Sequence, residues 1–269
     1  MPTSDPALRI FSYQPNPRIF KATIVARLCG IELDLRGAPV PELADWLWDF
    51  DARPLSEEER SAGGDAERQR RVGFRGRLFK TDAFLEAHPF VTVPAAFGPD
   101  GSVGIFESNS IMRAAARVGG SPGGLYGDDP YSASRIDSFL DVSLVFARQT
   151  QIYLLGVFGE MTREIWDDSK EAYQIYLSGI ERALAKNPFL VGEVLTLADI
   201  CFVCELVLCL QERGRRRRLV EQGFDCVLDE NLEAEFPKAF SHLYRLVKEP
   251  AFAPDCEPYL AKLAAAAGR

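Results

Sequence analysis

Apolar residues repeat with two different periods along this 269-residue chain, and the change from one to the other constrains the fold more than any other feature. Leu8-Arg-Ile-Phe-Ser-Tyr13 alternates as a short strand does, and Asn16-Pro17 then opens a helix whose apolar positions are Ile19, Phe20, Ile24 and Leu28. Gly30 stops that helix before a second alternating run, Ile31-Glu-Leu-Asp-Leu35. Strand, helix, strand in this order predicts a βαβ unit with a parallel crossover. Further on, Val91 to Phe97 and Val103 to Phe106 flank the turn cluster Gly98-Pro-Asp-Gly101, which predicts an antiparallel hairpin, and Ser110 to Val118 predicts a closing helix. After Pro130 the strand signals nearly vanish. Ile136, Phe139, Leu140, Ser143, Leu144 and Ala147 form one helical stripe and Trp166 to Leu184 carries another. Leu197 to Leu210 is apolar almost all round, as a buried central helix requires.

The stretch Gly119-Gly-Ser-Pro-Gly-Gly124 has the composition of a linker. We therefore expect an α/β unit over residues 1–122 and an all-α unit over 128–269. Residues from about Gly37 to Lys80 break the rhythm of the first unit. They hold Pro39, Pro41 and Pro54, the pair Trp46 and Trp48, the acidic run Ser56 to Glu59, a Gly63-Gly64 break and the basic run Arg68 to Arg71. This reads as an insertion. It is open to cover a site, to widen a dimer interface or to decorate the surface.

Composition excludes several function classes. A hydrophobic content of 47% with 26% charged residues is that of a globular chain, and a net charge of −8 gives no basic face to track phosphates, so nucleic acid is not an expected partner. No run approaches the roughly twenty apolar residues that span a bilayer, and the first residues lack a basic and apolar leader pattern, so a cytoplasmic protein without membrane contact is expected. Six cysteines, clustered only in one apolar run, do not form a secreted disulfide framework. Cys201-x-x-Cys204 lies inside that run, and the chain has only His88 and His242 to complete a ligand set, so core packing is expected and no metal. Arg213-Gly-Arg-Arg-Arg-Arg218 reads as a solvated helix end.

Four motifs in order carry a resemblance: Tyr13-Gln-Pro-Asn-Pro-Arg-Ile-Phe-Lys21, Val93-Pro94, Glu107-Ser-Asn-Ser-Ile111 and Leu190-Val-Gly-Glu-Val-Leu-Thr-Leu-Ala-Asp-Ile200. Together they resemble the glutathione transferase superfamily, and Asn16-Pro-Arg-Ile-Phe-Lys21 is similar to the opening of Nu-type transferases and of the transferase-like domain of elongation factor 1B gamma. The resemblance implies a thioredoxin-like N-terminal domain with a mixed four-stranded sheet, a C-terminal helical bundle and glutathione as cosubstrate. In such proteins a cis-proline, here Pro94, turns the backbone of the preceding residue, here Val93, toward the cysteinyl part of glutathione. The superfamily's basic residue before the Val-Pro pair is missing, because the stretch reads His88-Pro-Phe-Val-Thr92. Lys80, Arg75, Arg77 and His88 are the candidates left for the glycine carboxylate.

The chemistry of the remaining positions is physically legible. Asn16 before Pro17 is a good N-cap, and an N-cap uses the amide oxygen while the NH2 remains free to donate. A thiolate at this helix start would gain from that donor and from the positive end of the helix dipole. A thiol near pKa 8.5 needs a shift of roughly one or two units, at about 1.36 kcal/mol each. Asn16 is the first candidate to meet the sulfur, with Tyr13 and Ser12 behind it. Cys29 falls too late and reads as a small packed residue. Ser108 at a helix start suits a carboxylate and Glu107 an ammonium, so the pair matches a γ-glutamyl end. Thr196-Leu-Ala-Asp199 has capping-box spacing and reads as a folding element.

The resemblance thus implies a detoxifying glutathione transferase that passes the glutathione thiolate to an apolar electrophilic small molecule, usually as a homodimer, with Tyr153, Phe158 and Trp166 as candidate border residues of the second-substrate pocket. Two alternatives stand beside it. One is a non-catalytic transferase-like interaction scaffold, and the other is glutathione-dependent aryl-ether cleavage or dehalogenation.

Overall fold

The computed structural model of the protein describes residues 6–69 and 77–267, whose contacts separate into two units, Met1–Gly120 and Ser121–Arg269. In the first unit, β1 (Leu8–Phe11) runs into α1 (Pro17–Cys29) and back into β2 (Leu33–Arg36), which pairs parallel to β1 with Leu8 opposite Leu33. Asn16 caps α1, Pro17 occupies its first turn and Gly30 closes it in the left-handed conformation at φ 65°.

The segment from 37 to 80 is a second sheet rather than an ornament. It contains β3 (Trp46–Trp48), β4 (Arg53–Pro54), α2 (Glu57–Ala62), β5 (Glu67–Gln69) and β6 (Arg77–Lys80), with strand order β4-β3-β6-β5. Then follow α3 (Asp82–Ala87), β7 (Ala95–Phe97), β8 (Gly104–Phe106) and α4 (Ser108–Val118). The first sheet has four strands in the order β2-β1-β7-β8, with β7 antiparallel to both β1 and β8, so it is mixed.

Strand alternation decides what each face of the first sheet buries. Phe11 lies opposite Ala95 and Arg9 opposite Phe97, so these four share one face. That face belongs to a cluster with Trp48, Leu43, Leu78 and Phe84, all at most 1% exposed. The Trp48 ring meets Phe11 edge-on at 5.2 Å and Phe84 at 5.8 Å. A surface decoration would not supply a fully buried tryptophan to the domain core. Leu8, Ile10 and Ala96 are equally buried, and α1 and α4 pack side by side. Arg9 pairs with Asp34 of β2 at 2.7 Å and with Asp51 at 2.6 Å while lying over Phe50 at 4.0 Å, so one guanidinium ties both sheets together.

The hairpin is shorter than its apolar pattern predicts, because β7 begins only at Ala95. Val91 has φ 55°, outside strand geometry, and Pro94 has no N–H to give a ladder. The helix expected from Ser110 starts two positions earlier, at Ser108.

The second unit is helical: α5 (Pro130–Phe158), α6 (Arg163–Leu184), α7 (Leu197–Cys209), α8 (Arg216–Glu221), α9 (Glu230–Glu235), α10 (Pro237–Leu246) and α11 (Ala253–Ala267). Every residue of α7 is buried, including Cys201, Cys204 and Cys209, and these three cysteines form no disulfide. The Ser143 hydroxyl donates to the Leu140 carbonyl at 2.6 Å and sits 3.1 Å from the Cys201 sulfur, and the buried stripe of α5 passes through it, leaving Leu144 exposed. At the start of α7, Asp199 is fully buried and accepts from the Thr196 N–H at 2.9 Å, the Thr196 hydroxyl at 3.0 Å and the Leu190 N–H at 2.9 Å, with His242 Nε2 at 2.8 Å. The capping box is present and does more than cap. Among the described residues no helix is long and apolar enough to cross a membrane, and no group of His, Cys, Asp and Glu is placed to hold a metal ion.

Glu212 gives this unit a pH dependence. Its carboxyl is buried against the Tyr153 hydroxyl and the backbone N–H groups of Leu228 and Val227, and burial raises its pKa from 4.5 to about 7 despite those donors. A carboxyl that holds its proton more tightly when folded contributes stability that is complete below about pH 4.5 and is lost as pH rises through about 7. Urea denaturation between pH 5 and 8 is therefore expected to show wild type losing stability with rising pH and Glu212→Gln following a flatter curve. Parallel curves for the two proteins would overturn this assignment.

Candidate functional site

The candidate site is assembled where β1 hands over to α1 and β8 to α4. Asn16 caps α1 from an extended backbone, with its side-chain oxygen accepting from the Arg18 N–H at 3.0 Å. One of its two N–H bonds is not left free as the sequence suggests. It donates to the Ser12 hydroxyl at 3.1 Å, and Asn16 and Ser12 are 1% and 0% exposed. The reason lies in the turn between them. Ser12 donates its N–H to Arg36 and Gln14 to Ala38, which draws the chain against the segment leaving β2. Gly37 makes this possible at φ 140°, since a Cβ there would lie 1.7 Å from the Ser12 carbonyl oxygen. Tyr13 is half-buried on the same turn, and the Gln14–Pro15 bond that follows is cis. Cys29 is the last residue of α1, with its side chain against Gly119.

Val93–Pro94 is also a cis bond, the isomer implied by the resemblance, and it immediately precedes β7. Glu107 is exposed at the N-cap of α4 with φ 67°, a conformation that costs a non-glycine residue about 1–2 kcal/mol. Ser108 follows as the first residue of the helix and is 6% exposed.

A residue that the motif contains, and to which sequence reasoning gives no role, completes this corner. Lys21 of α1 is fully buried, and its ammonium donates to the Ser108 hydroxyl at 3.1 Å and to Asn109 Oδ1 at 2.7 Å. Because the ammonium occupies a lone pair of the Ser108 oxygen, the hydroxyl hydrogen is directed elsewhere and made a better donor. The start of α4 thus combines a dipole end, a polarised hydroxyl and a positive charge beneath it. What the sequence did offer is a lysine inside the motif, one helical turn beyond Pro17.

The candidates for a glycine carboxylate are not brought to this corner as free cations. Lys80 is 3% exposed with its ammonium 4.3 Å above the Trp48 ring. Arg77 is exposed at the start of β6 and donates to the Arg60 carbonyl at 2.8 Å. His88 is 1% exposed among Phe84, Phe97 and Phe106, neither ring nitrogen has a hydrogen-bond partner among the described residues, and burial lowers its pKa to about 4, so it is neutral. Arg75 lies outside the described residues. In the second unit Tyr153 is buried on Glu212, Phe158 lies under Arg215 at 5.0 Å and Trp166 Nε1 donates to the Asp225 carbonyl at 2.8 Å.

This architecture is the glutathione S-transferase fold. Residues 137–216 match the family described as glutathione S-transferase, C-terminal domain. The chain superposes with TM-score 0.63 on a Bombyx mori glutathione transferase at 19% identity, covering 100% of this chain and 99% of that one. It superposes equally, at 0.63, on a Phanerochaete chrysosporium glutathione transferase solved with oxidized glutathione, at 15% identity and 96% and 98% coverage. Among curated sequences the likeness is to elongation factor 1-gamma. A probable elongation factor 1-gamma 1 of Arabidopsis thaliana is 32% identical over 255 residues, which cover 91% of this chain and 48% of that protein. The chain thus spans about half the length of the curated relatives it matches.

Lys21→Met keeps the stem and removes the ammonium that donates to Ser108 and Asn109. We expect a loss of about 1–3 kcal/mol in stability by chemical denaturation, the cost of unsatisfied buried groups. A variant as stable as wild type would show that the ammonium does not hold this corner.

Proposed function

We propose that this chain is a glutathione S-transferase-like module that serves as an interaction scaffold and does not conjugate glutathione. One observation carries this reading: the Asn16 amide, the best-placed donor for a sulfur anion, is 1% exposed, with one N–H given to Ser12 and its oxygen accepting from Arg18. A thiol pKa must fall by roughly one or two units for efficient attack near neutral pH, at about 1.36 kcal/mol per unit. The helix dipole alone contributes about 0.3–1 kcal/mol, which is too little. The replacement of a basic residue by Thr92 before the Val-Pro pair removes a further grip on the tripeptide. The likeness to a protein named for elongation rather than for thiol transfer supports the same reading.

A second reading, transfer of the glutathione thiolate to an apolar electrophile, is favoured by the corner at α4. There Ser108, polarised by Lys21, would hold the γ-glutamyl carboxylate and exposed Glu107 its ammonium, while the Val93 backbone before Pro94 would meet the cysteinyl part. Asn16 or Tyr13 would then have to turn to the sulfur.

Calorimetric titration with glutathione, combined with ultraviolet absorbance of the bound thiolate across pH, separates the two. The scaffold reading expects millimolar binding or none, no downward shift of the thiol pKa and no difference between wild type and Asn16→Ala. A thiol pKa lowered by a unit or more in wild type and restored in Asn16→Ala would establish the transferase reading instead. Should glutathione bind, Glu107→Gln is expected to weaken it by about tenfold, equivalent to about 1.4 kcal/mol, through loss of the ammonium contact. An unchanged affinity would remove Glu107 from the site.

A further inference from the structure

We infer that the helical unit carries a second, separate ligand site: a cavity at the end of α6 that binds the phosphate group of a small phosphomonoester. The cavity has a volume of about 700 Å³ and is lined by Arg135 from the start of α5, Arg182 from the last turn of α6, and Lys186 and Asn187 from the loop that follows. No carboxylate is among its lining residues. Neither Arg182 nor Lys186 forms an ion pair among the described residues, while Arg135 is steadied over the Phe139 ring at 4.9 Å. Three cations facing one space repel, and nothing in the wall offsets them. An anion does.

A simpler account covers only part of this. Cations at a helix C-terminus complement its negative dipole end, which accounts for Arg182 and Lys186. It does not account for Arg135, which arrives from the opposite end of another helix. Nor does it account for Gly179, an exposed position inside α6 where alanine would be favoured by about 1 kcal/mol. A Cβ at Gly179 would meet nothing within 4 Å, so no packing demands the glycine. Its missing side chain keeps the cavity mouth open.

The far wall is built in advance. Leu190 is held by its N–H to Asp199 at 2.9 Å, Arg245 donates to the Pro188 carbonyl at 3.3 Å, and Phe189 bridges Gly192. Two guanidinium forks and an ammonium match the three terminal oxygens of a phosphate dianion in number and are opposite to them in charge. The volume exceeds what a bare phosphate fills, and half-buried Ala183 and Val191 in the lining offer an apolar surface to an organic body. The shared chemistry is therefore a phosphate, with either an organic phosphomonoester or inorganic phosphate as its source.

Isothermal titration of the full chain at fixed low ionic strength, with adenosine monophosphate, inorganic phosphate and adenosine as probes, tests this. Adenosine monophosphate is expected to bind at least about tenfold more tightly than adenosine, and Arg182→Gln and Lys186→Gln are each expected to weaken it about tenfold. Gly179→Leu, checked for folding by circular dichroism, is expected to lower affinity without changing charge. Arg217→Gln, which alters the charge of a separate surface, and Asn16→Ala are expected to leave it unchanged, which keeps this result independent of the glutathione reading. Inorganic phosphate binding as tightly as the nucleotide supports the site and assigns it the free ion. Equal binding of adenosine and adenosine monophosphate, equal weakening by Arg217→Gln and Arg182→Gln, or no binding of any phosphate probe overturns the proposal.

Discussion

The N-terminal unit depends on one buried cation. Lys21 lies inside α1, and α4 presents the Ser108 hydroxyl and the Asn109 amide oxygen to its ammonium. A buried ammonium without such partners would cost several kcal/mol, so the packing of α1 against α4 is specified at this point and not merely favoured by area. The same bond carries a functional consequence. Asn16 sits at the start of α1 and Ser108 at the start of α4, so fixing one helix against the other fixes the separation of the two motifs that could hold a ligand.

That rigidity bears on the choice between scaffold and enzyme. The Ser12–Asn16 bond is the product of a turn that Gly37 presses against Ser12 from the other side. Turning the buried Asn16 amide out toward a sulfur anion would give up its hydrogen bond to Ser12 and leave the Ser12 oxygen to find another donor, at about 1–3 kcal/mol. A thiolate would need to return more than that before lowering its own pKa at all. The corner at α4 is different, since Glu107 is exposed and Ser108 is already polarised. On the scaffold reading proposed above, the corner at α4 stays open to a ligand while the turn at Asn16 is closed by its own contacts.

Much of this was legible in the chain itself, and the reasons are local. Asn16-Pro17 and Gly30 bound α1 because capping and proline geometry act within one turn, and Asp199 was readable from Thr196-Leu-Ala-Asp199 for the same reason. The second sheet was not legible. Its strands are two to four residues long, and β3 pairs with β6 across more than thirty positions, so no short-range period announces them. The burial of Lys21 was hidden because a lysine in an amphipathic helix is solvated unless a distant residue meets it, and Ser108 and Asn109 lie 87 and 88 positions away. His88 was misjudged on the same ground, since only the ring of phenylalanines from β7, β8 and α3 makes it a buried neutral group.

The helical unit repeats the principle with the sign reversed. Asp199 is a buried carboxylate, and its four contacts reach the start of α7, the Leu190 backbone and His242 of α10. Capping α7 needs only the Thr196 contacts. The bond to Leu190 does something further, because it fixes the loop that walls the cationic cavity. A capping element selected for folding therefore also preorganises a surface for binding, and it does so with a charge opposite to that of the cavity and itself fully buried. Had Asp199 faced the cavity it would have neutralised Arg182 or Lys186. Turned inward, it leaves their charge available to an anion from solution.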